Sequence, residues 1–119
     1  MKHHNLTVRT KQFALQVIKF CENLPRDETS RVIGRQLLRS GTSVGANYRA
    51  ACRAKSKADF ISKFQTVLEE ADESAFWIEL LVDSEKTTSE AAGSLLREAN
   101  ELVAISVASI TTARKSQAP

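Results

Sequence analysis

The sequence predicts an all-α fold of four amphipathic helices, on three observations. Glycine and proline are scarce, four Gly and two Pro in 119 residues, while the strong helix formers Ala, Leu, Glu, Lys and Arg are plentiful. Apolar residues recur at a spacing of about 3.6 residues in four successive segments. Short polar stretches separate those segments, with no long linker, low-complexity tract or internal repeat. The length suits one domain with one modest core.

The first helix is expected over about 7–24, with Leu6, Phe13, Val17, Phe20, Cys21 and Leu24 on one face. LPRDETS then ends it, because Pro25 cannot continue a helix, and Asp27, Thr29 and Ser30 can cap the next. The second is expected over about 30–55. The third, about 57–83, opens on Ser56-Lys57-Ala58-Asp59, where a cap hydroxyl and a carboxylate three residues on can satisfy free backbone amides. Its core face is Phe60, Phe64, Val67, Ala71, Ile78 and Val82. After DSEKTTSE the fourth helix, about 88–114, presents Ala92, Leu95, Leu96, Ala99, Leu102, Val103, Ile110 and Ala113. The tail KSQAP is expected to fray.

The second segment contains SGTSVGANYRAA (residues 40–51), which by composition resembles a turn or a ligand-cradling loop. Helical phase decides otherwise. At about 100° per residue, Arg31, Arg35, Arg39, Arg49 and Arg53 fall within an arc of roughly 80°. Ile33, Leu37, Val44, Tyr48 and Ala51 fall opposite them. Both stripes keep register through the glycines, so the helix is continuous. Gly34, Gly41 and Gly45 align along one flank, where absent side chains let another backbone approach.

Several function classes have no residues to carry them. Neither phosphate-loop pattern, G-x-x-x-x-G-K-[ST] or G-x-G-x-x-G, is met. The two histidines, His3 and His4, sit at the terminus, so no internal imidazole can serve a hydrolytic triad or the Glu-x-x-His of a carboxylate-bridged metal site. The cluster Glu69, Glu70, Asp72 and Glu73 is therefore expected to be solvated or ion-paired, with no metal and no cofactor. No apolar run approaches the ~20 residues of a membrane span. MKHHNLTVRTKQ lacks an apolar signal core, which leads us to expect a cytoplasmic protein with Cys21 and Cys52 as reduced core thiols.

A net charge of +3 conceals an asymmetry. Residues 1–57 carry 12 Lys/Arg against 3 Asp/Glu, and residues 58–119 carry 5 against 11. Either a polyanion-binding face or basic and acidic helices lying side by side accounts for it. The stripe Arg31, Arg35, Arg39, Arg49 and Arg53 is the candidate partner surface, since a guanidinium fork matches two phosphate oxygens. No aromatic residue interleaves it, so base stacking is not indicated. Apolar residues lying off the core faces, Val8, Leu15, Ile18, Phe76 and Ile105, point to contacts between subunits.

LLRSGTSVGANYRAACRAKSKADFISKF, VLEEADESAFWIELL and LLREANELVAISVASITTARK, taken together, resemble the four-helix bundle proteins encoded in intervening sequences of bacterial 23S rRNA genes. The resemblance runs from the first helix to Lys115. It implies an antiparallel up-down bundle assembled as a ring-shaped homopentamer, and no enzymatic activity. It also implies likeness to the accessory protein of diversity-generating retroelements, whose basic barrel binds nucleic acid and a reverse transcriptase. The expected partners are thus further copies of the chain, RNA or DNA, and a reverse transcriptase. The alternative is a protein-interaction scaffold without nucleic-acid binding. Ser43, Gly45, Asn47 and Tyr48 match the small-polar signature of the second helix, and Gly41 joins them in close packing. Asp59, Phe60, Glu70, Ala71 and Glu73 match the third-helix motif. Ala50 stands where the family has Glu, which removes a carboxylate from any polar network there. Ser106 stands where an aromatic is usual, which either leaves a smaller, looser core or makes room for a large neighbour such as Trp77.

Overall fold

The computed structural model describes the backbone of residues 2–116 and the side chains of residues 6–116. Helices α1 (Lys2–Glu22), α2 (Glu28–Cys52), α3 (Lys57–Asp83) and α4 (Ser89–Lys115) follow in order, and no strand occurs among the described residues. Connectors this short fold each helix back antiparallel on its predecessor. The result is an up-down four-helix bundle of 53 × 21 × 20 Å, in which α1 and α4 stand farther apart than the other neighbours do. The imidazoles of His3 and His4 and the tail beyond Ser116 lie outside the described residues.

Local chemistry places the helix ends, and it moves several from the expected positions. The first helix extends back to Lys2 and stops at Glu22 rather than near Leu24. There the amides of Asn23 and Leu24 tighten onto the Phe20 and Cys21 carbonyls, both at 3.2 Å, and Pro25 prevents further turns. Asp27 caps α2 by accepting the Ser30 amide at 2.8 Å, so the helix begins before Ser30. It ends at Cys52 and not at Lys55, because the next cap captures those residues. The Ser56 hydroxyl accepts the Asp59 amide at 3.1 Å, and the Asp59 carboxylate accepts the Lys55 amide at 3.0 Å. After α3, Glu85 takes a left-handed φ of 63°. The Lys86 amide reaches back to the Leu81 carbonyl and the Glu85 amide to that of Val82, each at 2.9 Å, a helix stop that usually employs glycine. Thr88 then caps α4 through the Ala91 amide at 3.1 Å.

The core is large at its ends and small at its waist. Toward one end, Tyr48 and Phe60 each meet Phe64 edge-on, with ring centroids 5.6 and 5.3 Å apart. At the waist lie Ser40, Gly41, Ala71, Ser74, Ala75 and Ala99, all buried. Here the hydroxyls of Ser40 and Ser74 bond across α2 and α3 at 2.9 Å, so two fully buried polar groups satisfy each other. Ser106 is buried too, and its hydroxyl donates to the Leu102 carbonyl at 2.7 Å. Trp77 is half-buried and packs on the core, with its ring against Phe76 and its indole donating to Glu73 of its own helix.

Residues 40–51 are unbroken helix, and the glycines face α1. A Cβ on Gly41 would stand 2.8 and 2.9 Å from the two methyls of Val17, and one on Gly45 would stand 3.3 Å from the Thr10 carbonyl oxygen. Val17 is fully buried and β-branched, so it cannot swing aside. Gly41→Ala should therefore destabilise the protein by about 1–3 kcal/mol through overpacking, and Val17→Ala in the same chain should recover part of the loss. Gly93→Ala is the control. Its added Cβ meets only the end of Arg97 at 3.7 Å, so helix propensity should win by up to ~1 kcal/mol. Urea denaturation of the variants decides, and a Gly41→Ala midpoint equal to wild type would refute the close approach.

Candidate nucleic-acid interface

The arginine stripe is helical geometry made visible. Arg31, Arg35, Arg39, Arg49 and Arg53 all project into solvent from the outer side of α2 and its C-cap, with Leu37, Val44 and Tyr48 buried behind them. Their circumstances differ. Arg31 pairs with Glu28 one turn earlier. Arg39 leans onto α3, where it pairs with Glu73 and, at 3.3 Å, with Glu70. Arg35, Arg49 and Arg53 have no ion-pair partner among the described residues. Three of the five are thus unengaged, and one expected to stand clear of the bundle is tied to it.

Two shallow grooves on the α1/α2 seam add cations that the α2 periodicity could not reveal. Small residues make the first: Ala14, Gly45 and Ala46 floor it, with Lys11 and Arg49 at its sides. The second lies toward the α1–α2 turn, with Arg26, Arg31 and Arg35 around it. Lys11 and Arg26 belong to other elements, and only the antiparallel packing of α1 on α2 brings them alongside the stripe. Arg35 and Arg49 stand roughly 21 Å apart along the axis at a rise of about 1.5 Å per residue. Leu38 and Thr42 occupy the interval, and no aromatic side chain among the described residues joins the arginine arc.

Of the signature residues, Asn47 donates to the Ser43 carbonyl of its own helix at 2.8 Å, and Tyr48 is buried. Ala50 is half-buried. Of the apolar residues expected to be outside, Leu15, Ile18 and Phe76 are exposed. Ile105 is not: it is half-buried and packs on the core. It lies two turns beyond Glu98 on the same flank of α4, which α1 covers. Arg9 fixes that cover by donating to Glu98 at 2.9 and 2.7 Å and to Glu101 at 2.9 Å.

The acids of α3 divide by direction. Glu73 faces α2, accepting from Arg39 and from the Trp77 indole at 3.0 Å. Partial burial pushes its carboxyl up, but those hydrogen bonds and the Arg39 charge outweigh burial and leave it below the ordinary 4.5. Glu69, Asp72, Glu79 and Asp83 point to solvent around Phe76. No group of three His, Cys, Asp or Glu side chains among the described residues converges as metal ligands would. Cys21 is half-buried, its thiol pushed up to about 11 chiefly by burial, and Cys52 is exposed. No described helix is long and apolar enough to cross a membrane.

Because the folded pKa of Glu73 is depressed, its contribution to stability is present above the unfolded value and is lost as pH falls through the folded one. Wild type should therefore melt above Glu73→Gln at neutral pH, and the two melting temperatures should converge as pH falls below 4.5. A constant gap across that range would mean that Arg39 and Trp77 do not stabilise the Glu73 carboxylate.

Comparison with known proteins gives a consistent result. No curated protein matches the chain. A solved protein of unknown function from the S23 ribosomal protein family of Bacteroides thetaiotaomicron superposes with a TM-score of 0.87 at 35% identity, over 93% of this chain and 99% of that one. The family model described as 23S rRNA-intervening sequence protein matches residues 2–108, which takes in α1, α2, α3 and most of α4. The chain therefore belongs to the 23S rRNA-intervening sequence protein family.

Proposed function

We propose that this protein is a non-enzymatic, self-associating helical bundle that holds a nucleic-acid backbone on its α1/α2 face. The observation that carries the reading is the set of unpaired guanidiniums, Arg35, Arg49 and Arg53, in one solvent-facing arc. Arg31, Arg26 and Lys11 extend the same positive surface. Such a surface engages phosphate oxygens of RNA or DNA with little sequence preference, because no side chain beside it is placed to read or stack a base. Membership of a family named for 23S rRNA intervening sequences is compatible with an RNA ligand. Exposed Leu15, Ile18 and Phe76 support self-association, and five copies are what the family resemblance implies. Repetition around an assembly multiplies weak phosphate contacts. A cytoplasmic location suits these partners.

Arg39 enters differently from its neighbours. Glu70 and Glu73 already occupy it as phosphate oxygens would, so it contributes to binding only when those carboxylates release it. Reversing Arg39 would also set like charges against α3, which makes it a poor probe of the surface.

Fluorescence anisotropy with duplex and single-stranded RNA and DNA, titrated with salt, tests the proposal. Affinity should fall steeply with salt, with a log–log slope of about 0.9 per phosphate contact on B-form duplex and ~0.7 on single strands. Arg35→Gln/Arg49→Gln/Arg53→Gln should weaken binding to all sequences alike and flatten the slope while leaving the melting temperature near wild type. Glu70→Gln/Glu73→Gln should free Arg39, tighten binding and steepen the slope by about one contact. Undiminished binding by the triple variant would overturn the arginine surface. No binding by wild type at low salt would leave the alternative, a scaffold for a protein partner such as a retroelement reverse transcriptase.

A further inference from the structure

Each helix exposes large apolar side chains, Val32 and Leu38 on α2 and Val107 on α4 among them, and the exposed faces of α1 and α3 have opposite charge. On the outer side of α1, Val8, Leu15 and Ile18 form a stripe, exposed by 59%, 50% and 36%. Lys11 and Lys19 flank it, on a helix with four Lys/Arg against one acid. On the outer side of α3, Phe76 is 53% exposed and braced edge-on by Trp77 at 5.1 Å. Asp72, Glu79 and Asp83 surround it, on a helix with seven acids against two lysines.

Within one chain these faces cannot meet, because α1 packs on α2 and α4 and stands diagonally across the bundle from α3, with both faces on the outside. We propose that the α1 stripe of one copy seats on the α3 face of the next, Leu15 and Ile18 against Phe76, and Lys11 and Lys19 against Asp72, Glu79 and Asp83. The inference rests on the self-association in the proposed function and names the two surfaces that produce it. Charge sign selects this pairing. A symmetric α1–α1 contact would set lysine against lysine, and an α3–α3 contact acid against acid, whereas α1 on α3 opposes unlike charges throughout.

Size also agrees. The segments Val8–Ile18 and Asp72–Asp83 are both roughly 15–17 Å long at the helical rise. Val17, next to Ile18, touches Gly41, and the adjacent Ser40 bonds Ser74, two residues from Phe76, which sets Ile18 close to the level of Phe76. A head-to-tail contact of this kind forms a ring where the rotation between copies closes and a filament where it does not.

Complementation tests the pairing directly. Leu15→Glu/Ile18→Glu spoils only the α1 face, and Phe76→Glu only the α3 face. All three residues are exposed, and circular dichroism checks that the helices remain. By light scattering, wild type should exceed a dimer and each variant alone should be monomeric. An equimolar mixture should form a one-to-one dimer, because exactly one intact α1 face and one intact α3 face remain to meet. Charge exchange is the second arm: Lys11→Glu/Lys19→Glu should dissociate the assembly, and adding Asp72→Lys/Glu79→Lys to the same chain should restore it. A wild-type assembly whose variants stay assembled, or whose mixture stays monomeric, overturns this pairing and leaves self-association standing. A monomeric wild type at micromolar concentration overturns both, while nucleic-acid binding by single copies remains measurable by anisotropy.

Discussion

The bundle depends on the missing side chain at residue 41. Helix α2 is the spine of the fold, with α1 on one flank and α3 on the other. Gly41 lets Val17 of α1 come within reach of the α2 backbone, and the neighbouring Ser40 meets Ser74 of α3 through a single hydroxyl pair. Three helices therefore draw together at one level, α1 through Val17 against bare α2 backbone and α3 through a pair of hydroxyls. The larger side chains, Tyr48, Phe60 and Phe64 among them, are left to fill one end, where the helices can stand farther apart. Glycine's cost in helix propensity is offset by the close packing that its absence of a Cβ permits.

That waist also organises the surface. Once α2 is pinned between α1 and α3, the side of α2 left in solvent is the side that carries arginine. The acidic helix α3 is then both a neighbour and a competitor. Its inward-leaning acids, Glu70 and Glu73, take up Arg39, while its outward acids surround Phe76 and have no ion-pair partner among the described residues. Charge asymmetry between the two halves of the sequence thus has two uses at once. Part of it is neutralised inside the bundle, and the remainder stands on separate faces, where phosphate or another copy of the chain can answer it.

Polar groups in the core are handled locally. Thr10 and Ser106 each return their hydroxyl to the carbonyl one turn earlier, at 2.7 Å, and Ser40 and Ser74 share a bond. Every described buried side-chain nitrogen or oxygen has a partner, so small polar residues provide close approach without an unsatisfied group. Ser106 keeps its place in the core in this way, by a hydroxyl bonded within its own helix.

The sequence by itself determined what is periodic or locally chemical. The fold class, the continuity of α2 through SGTSVGANYRAA and the shared arc of its arginines all follow from a 3.6-residue repeat, because phase within one helix needs no knowledge of its neighbours. The cap at Ser56 was legible for the same reason, since donor and acceptor lie within four residues. The left-handed stop at Glu85 was not, because no glycine or asparagine marks it. Tertiary structure alone decided which side chains are spoken for. Arg39 and Ile105 have the sequence signature of free residues, yet α3 takes the first and the second packs on the core. Lys11 and Arg26 join the basic face although no pattern links them to α2. The physical reason is that periodicity specifies a direction around one helix axis, whereas a partner is set by what a second helix places in that direction.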